Sequence, residues 1–363
     1  MSAAGVRPLV MRCGAMGDMV LLLPLLQALQ RRFGTPVDVV GSGGWTRPLL
    51  QDQPGVGELF LLQSRRRPYL VSPDQWRLVA DLRRRGPAPT WFLDDDGIGA
   101  GLLARAGIAR EWIVDAADYP RRAGEHCLQR WARLAAQSPA ALQGVATAMP
   151  AVRGVELTAA APGRAALDAL LARHGLTGRP LLLLQAGNKR TMRRGDRRRA
   201  SNNKYWPEER WAALIRVMRT RCPAHAIVLL GVERERELNQ HVLSLLVAHE
   251  RAQVHDLAGE LPIPVLLALL ERASGMIGVD TGPAHAAAAL GVPQVVLFGS
   301  ADPDYYRPWG AQGAHTTCLS AGVGSTLSAL PVQRVVAAWY ALSLRAPAAP
   351  PVRHASRIEG VPA

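Results

Sequence analysis

Residues 8–41, PLVMRCGAMGDMVLLLPLLQALQRRFGTPVDVVG, decide the fold. The stretch opens with a short apolar run, PLVMR at 8–12, that reads as a buried strand. A glycine-bearing turn, CGAMGD at 13–18, leads into a helix-like apolar segment ending near Gly34. A second strand, VDVVG at 37–41, follows, with Gly43 and Gly44 behind it. Strand, turn, helix, strand is a βαβ unit, and strands joined by such a crossover lie parallel in one sheet.

The same grammar runs outward from there. WFLDDD at 91–96 reads as a further strand ending in acids. From Ser138 to Gly163 the chain turns rich in Ala, Gly and Pro, which marks a domain junction. LLLLQAG (181–187), AIVLLG (226–231), GMIGVD (275–280) and PQVVLFG (293–299) are continuous apolar runs, as strands buried on both faces require. Helix-like segments at 207–220, 235–249 and 264–273 separate them, and another spans 332–345. The expected fold class is therefore α/β, with two parallel-sheet domains over residues 1–160 and 161–330. A Pro/Ala/Arg tail at 346–363 reads as disordered. Ligands of such sheets bind beyond the carboxyl ends of the strands. That puts Asp18, Gly187, Glu235, Asp280 and Ser300 at or near one rim per domain, facing a shared cleft if the domains oppose each other.

Length and composition fit this reading. The chain has 363 residues, 48% hydrophobic and 20% charged, which excludes a disordered protein and leaves ample material for packed cores. No repeat of fixed period is visible. The longest apolar run, Met19 to Leu29, is broken by Pro24 and Gln27 and falls short of the ~20 residues a membrane span needs. Arg12, Asp18 and the lack of a cleavage site speak against a signal peptide. Four scattered cysteines suit neither a disulfide framework nor a metal cluster, and the expectation is a cytosolic protein. The net charge of +14 raises nucleic acid, anionic lipid or phosphorylated substrates as partners. Only Lys189 and Lys204 are lysines among 43 basic residues, a bias that points to base composition, so scattered arginines carry little message. Residues 188–204 still concentrate eight basic residues against Asp196 alone.

Three segments carry chemistry. In VDTGPAHAAAALG (279–291) a strand ends at Asp280 and a helix opens after Thr281-Gly282-Pro283. Pro is pre-organised at a helix start, and the free amides of Thr281, Gly282 and Ala284 with the helix dipole suit a diphosphate. An ordinary capped turn accounts for the spacing equally well, and His285 alone reads as a packing or capping residue. In the turn before the first helix, Asp18 is either a cap worth ~1 kcal/mol or a general base taking a proton from a substrate hydroxyl. Lys204, ahead of Tyr205-Trp206-Pro207, offers a point charge for phosphate, whereas the run Arg193 to Arg199 reads as a solvated loop. Beyond them, GVEREREL at 231–238 places Glu233, Glu235 and Glu237 past a strand end, where a carboxylate can hold ribose hydroxyls. No zinc-like spacing and no GxxxxGK[ST] loop occur, so neither a metal nor a cofactor is expected.

In this order the segments resemble glycosyltransferase family 9, the bacterial heptosyltransferases of lipopolysaccharide core assembly. The matching residues are R-x-GAxGD-x5-P (Arg12 to Pro24), K-x-WP-x-E (Lys204 to Glu209) and G-x-x-x-E (Gly231, Glu235). DTGP-x-H-x-A-x-A-x-G-x-P (Asp280 to Pro293), LFG-x-x-DP (Leu297 to Pro303) and PWG (Pro308 to Gly310) complete the series. The resemblance implies a GT-B fold of two Rossmann-like domains, the first for the acceptor and the second for the nucleotide sugar. The helix at 331–345 would pack back on the N-terminal domain. It implies an inverting, metal-independent transfer of heptose from ADP-heptose to an anionic lipid A–Kdo type acceptor, at the cytoplasmic face of the inner membrane. Asp18 would be the base, and Lys204 would contact the donor phosphates together with the Thr281 and Gly282 amides. Glu235 would take the ribose, Asp280 and His285 would lie against the donor heptose and its phosphates, and Gly187 would line the donor site. Arg65, Arg66, Arg67, Arg121 and Arg122 are candidate acceptor contacts.

The loop at 188–204 is longer and more basic than the family's usual one, and the Tyr305-Tyr306 pair departs from its common form. Transfer to a protein or another glycan is the second expectation. A sugar-nucleotide-binding relative without activity is disfavoured by Asp18. A nucleic-acid-binding protein is a lower alternative, since aromatics, at 5%, do not interleave with the charges as stacking platforms would.

Overall fold

Both halves of the chain build the parallel sheets that their apolar runs imply. The computed structural model describes residues 6–63, 67–143, 154–188, 191, 202–310, 315–322 and 325–346. β1 (Leu9–Met11), β2 (Val37–Ser42), β3 (Val56–Leu62), β4 (Thr90–Phe92) and β5 (Ile113–Asp115) form one sheet in the order β3-β2-β1-β4-β5. β6 (Leu181–Gln185), β7 (Ala226–Leu229), β8 (Val254–Asp256), β9 (Gly275–Val279), β10 (Gln294–Phe298) and β11 (Thr316–Ser320) form the other, in the order β11-β10-β9-β6-β7-β8. Every pairing is parallel.

Each sheet runs outward from its first strand in both directions, so the order reverses between β1 and β4 and again between β6 and β9. The crevice beyond the strand ends at such a reversal is where open α/β sheets bind ligands. Asp18 and Asp94 follow β1 and β4, while Gly187 and Asp280 follow β6 and β9. Topology alone thus puts all four at switch points.

The helix Met16–Phe33 is apolar on nearly all sides, with Met19 through Leu29 buried. An amphipathic stripe would not suffice here, because this helix packs against the helix Cys127–Ala135 and also against Gly282–Ala289 of the other half. Gly34 ends it in the left-handed conformation at φ 70°, donating to the Gln30 carbonyl. The alanines of Gly282–Ala289 allow that approach. They pack on β9 and β10 and on the first helix of the opposite half.

The C-terminal helix corrects an expectation. Among the described residues, Val332–Ala341 lies against the helix Glu208–Arg221 and β10 of its own half, not against the N-terminal half as expected. Its Val335 and Trp339, four residues apart on one face, are fully buried with Trp206, Trp211 and Leu330. Arg221 then donates to the carbonyls of Trp339 and Leu342, which satisfies the helix end. Trp339→Ala should destabilise the C-terminal half by about 3–5 kcal/mol through the cavity it leaves, read as a lowered midpoint in urea. The tail expected to be disordered, from residue 347 onward, lies outside the described residues. No helix among those described is long and apolar enough to cross a membrane.

Candidate active site

The two halves meet tip to tip at their glycines. A methyl group on Gly17 would stand 2.7 Å from Cδ2 of His285, and one on Gly282 would stand 2.7 Å from Cβ of Met16. Neither glycine has a positive φ. Each is small so that the start of one helix can touch the start of the other. Asp18, one residue past Gly17, is thereby held next to the Asp280 turn.

Asp18 occupies the third position of its helix, where Oδ2 accepts the Ala15 amide at 2.8 Å. A Cβ on Gly14 would stand 2.4 Å from Cβ of Asp18, so this glycine makes room for the carboxylate to fold back. Arg12 donates to Oδ1 of Asp18 at 3.3 Å and to the Leu93 carbonyl at 2.9 Å. Its other neighbour is the buried Asp94, which accepts the Cys13 amide at 2.9 and 3.1 Å. Burial works against the Arg12 charge, but Asp18 and Asp94 outweigh it and raise the pKa. Asp18 is partly exposed and opens on a cavity of about 170 Å³. Arg12, Asp94, Asp95, Arg130, Tyr305 and Tyr306 share its lining. Cys127 is there too, but burial and then the Asp18 charge push its thiol up to about 12, so it stays protonated.

A second cleft, of about 470 Å³, lies on the other side of the same helix tips and is lined by Ala15, Met16, Gly187, Lys204, Glu235 and the Asp280–Pro283 turn. Asp18 does not line it. Lys204 is set in place by its backbone. The Asn203 carbonyl lies so close to Gly299 that a Cβ there would come within 2.2 Å, and Asn202 Oδ1 accepts the Lys204 amide. Its ammonium donates to the Asp280 carbonyl at 2.9 Å and to Oδ2 at 2.5 Å, leaving one of its three protons for a ligand. Burial would raise the Asp280 pKa, but the His285 hydrogen bond and the Lys204 charge hold it down at about 2.

Glu235 is buried at the far end of this cleft. Its Oε2 accepts the Val232 amide at 2.8 Å and lies 3.4 Å from Gln185 Nε2, while Oε1 has no partner among the described residues. Gly187 exists to fit it, since a Cβ there would sit 2.7 Å from Oε1. A buried acceptor without a donor is costly unless a ligand supplies one. Burial raises the pKa of Glu235, with the Val232 and Gln185 hydrogen bonds opposing in part.

Several expectations change in detail. The Thr281 hydroxyl donates to the Val279 carbonyl at 3.0 Å and the Ala284 amide to the Thr281 carbonyl at 3.1 Å, so neither faces the cleft as a free donor. The amides of Thr281 and Gly282 remain. Asp280 lines the cleft but is buried under Lys204 and His285. His285 is not part of the lining; it is packed on Gly17, 3.5 Å from Asp280. Arg121 pairs with Asp302 of the opposite half and lies 4.2 Å over the Tyr305 ring. Arg67 and Arg122 are exposed and do not line the Asp18 cavity, and Arg65 and Arg66 lie outside the described residues. So does most of the basic loop, 189–190 and 192–201.

Sequence reading missed Asp94, Arg130 and Trp45, whose indole donates to the Gly14 carbonyl at 3.3 Å. For Asp94 the signal was present, in a strand that ends on three consecutive acids. Nothing in the sequence marks Trp45 or Arg130.

Comparison with known proteins adds the family. The model for "Glycosyltransferase family 9 (heptosyltransferase)" matches residues 100–324. Lipopolysaccharide heptosyltransferase 3 of Escherichia coli is 34% identical over 106 residues, 29% of this chain and 30% of that protein. The alignment thus spans less than a third of the curated relative's length. Among solved structures, Escherichia coli ADP-heptose lps heptosyltransferase II superposes with a TM-score of 0.69 at 22% identity, over 92% of this chain and 98% of that one. Escherichia coli heptosyltransferase WaaC with ADP-2-deoxy-2-fluoro heptose gives 0.60 at 21%, over 91% and 97%. At such identities the likeness establishes a shared fold, two parallel-sheet domains of GT-B type. With more than half its length under one family model, the chain belongs to glycosyltransferase family 9, the heptosyltransferase family.

Proposed function

We propose that the protein is an inverting glycosyltransferase that moves a heptose from ADP-heptose onto the inner core of lipopolysaccharide, without a metal. The observation that carries this reading is the pair of cavities on either side of the Gly17–His285 contact, one with a carboxylate and one built for an anion. In the larger cleft, Leu261, Ile263 and Leu266 receive the base and Glu235 takes the ribose hydroxyls. The Thr281 and Gly282 amides and the remaining Lys204 proton receive the diphosphate. Asp18 removes the proton from the acceptor hydroxyl, whose oxygen attacks the anomeric carbon as ADP leaves from the opposite face. Charge then grows on the departing phosphate, where fixed amides and Lys204 meet it without reorganising. Residues 1–160 serve the acceptor and 161–330 the donor. The enzyme works in the cytoplasm at the anionic inner face of the inner membrane.

The test is to incubate the protein with ADP-heptose and defined lipopolysaccharide acceptors and weigh the products. One heptose added to a lipid A–Kdo acceptor is the expected result, and no transfer to any such acceptor removes this reading. One observation favours a second. Asp18, Asp94 and Asp95 outnumber Arg12 and Arg130 in the smaller cavity, which suits a neutral ring more than an acidic sugar. A heptose-bearing core, another glycan or a protein belongs in the same panel.

Glu235 gives a separate check on the donor. Ribose hydroxyls donate to its ionised form, so ADP lowers a pKa that burial has raised in the free protein. Affinity should therefore fall as pH drops through the free-protein value, and binding should release a proton between the two values. Glu235→Gln is expected to weaken ADP about tenfold and to flatten that pH dependence, as measured by calorimetry in buffers of different ionisation enthalpy.

A further inference from the structure

We propose that the turn Tyr69–Val71 and the start of the helix Pro73–Arg85 form a docking surface for a bilayer of acidic phospholipids. Leu70 is 82% exposed, Val71 62% and Trp76 45%. With Ile98, they are all of the large apolar side chains that the described N-terminal half leaves in water. Their exposure is not fraying. The Trp76 indole donates to the Tyr69 carbonyl at 2.6 Å, Ser72 Oγ donates to Asp74 at 2.6 Å, and the Arg105 guanidinium lies 4.7 Å from the Tyr69 ring centroid. Below them Leu78, Val79 and Leu82 anchor the helix in the core. A rigid, deliberately exposed apolar tip calls for an occupant.

Charge says which. Arg67, Arg77 and Arg83 are exposed in the same segment, besides an Arg84 paired with Asp81. Its two acids are engaged: Asp81 pairs with Arg84, and Asp74 accepts from Ser72 and the Gln63 amide. Apolar residues with an indole, flanked by arginines, form the pattern of an interfacial anchor on anionic lipid. Position agrees, since the turn follows β3 at the rim where Asp18 follows β1. Docking there would bring the Asp18 cavity to the headgroups. This rests on the reading of a lipid-linked acceptor, and it names the surface that would deliver it.

The experiment uses the full chain with vesicles of phosphatidylcholine alone or with phosphatidylglycerol, scored by co-sedimentation. Binding to the acidic vesicles is expected to weaken with salt and to fall at least tenfold in Leu70→Ser/Val71→Ser. Arg67→Glu/Arg77→Glu should lose the preference for acidic lipid. These side chains are exposed, and unchanged melting will show that both variants fold. Transfer to a vesicle-embedded acceptor should slow in the serine variant, whereas transfer to a deacylated, soluble acceptor should not. Unaltered vesicle binding in the serine variant overturns the proposal, as does equal binding of the parent to neutral and acidic vesicles. A dimer that falls apart in the serine variant would make the patch a protein interface and also overturn it. Vesicle binding as expected with no transfer to either acceptor would instead discard the proposed reaction and leave the docking surface standing.

Discussion

Asp18→Asn is expected to lower kcat by about 10³-fold while ADP affinity stays within about threefold, because a positioned base contributes 10²–10⁴. The split follows from geometry. Asp18 lines the smaller cavity and not the larger cleft proposed for ADP, and the helix tip stands between them. Asparagine keeps an oxygen that can accept the Ala15 amide, so the helix start survives and only the proton acceptor is lost. Asp18→Ala removes both and should cost a further ~1 kcal/mol of stability. Comparing the two by rapid kinetics and thermal melting separates chemistry from capping. Turnover preserved in the asparagine variant, or ADP binding lost with it, would show that the carboxylate holds the fold and does not act as the base.

Gly17→Ala should lower kcat/KM by about 10²-fold, with no group that contacts substrate altered. Its new methyl would sit 2.7 Å from Cδ2 of a His285 that is buried, so neither helix start can yield cheaply. The gap between the halves must widen, and Asp18 moves away from the Asp280 turn. Because the clash is with one side chain, the effects cannot add: Gly17→Ala/His285→Ala should be no worse than His285→Ala alone. Wild-type kinetics in Gly17→Ala would mean that the helix tips do not set the distance between base and donor. Independent, additive losses in the double variant would put the fault elsewhere.

What could be read directly follows from burial. The seven interior strands (β1, β2, β4, β6, β7, β9 and β10) announce themselves as mostly apolar runs, broken in β2 by the buried Asp38, since helices cover both faces of a parallel sheet. Of the four edge strands, β5, β8 and β11 have no such signature, and β3 has it only in its last four residues, LFLL at 59–62. They are short or half-exposed, as in the pattern of Thr316–Ser320, which has no fully buried residue. An edge is defined by which strand is its neighbour, and no local pattern encodes that.

The site divides along the same line. Asp18, Lys204, Glu235, Asp280 and the helix start after Thr281 were legible because each sits in a strand–turn–helix whose local chemistry the backbone fixes. Partners across the molecule were not. Only folding brings Asp94 to Arg12, Glu235 under Gly187, His285 onto Gly17 and Trp339 into its own half. The sequence by itself determined two parallel sheets and the turns that carry the candidate site residues, since hydrophobic period and turn residues act over a few neighbours. Tertiary structure alone decided which glycines separate the halves, where the cavities open and which charges neutralise one another. Those depend on contacts between residues far apart in the chain, from 48 positions for Gly187 and Glu235 to 268 for Gly17 and His285.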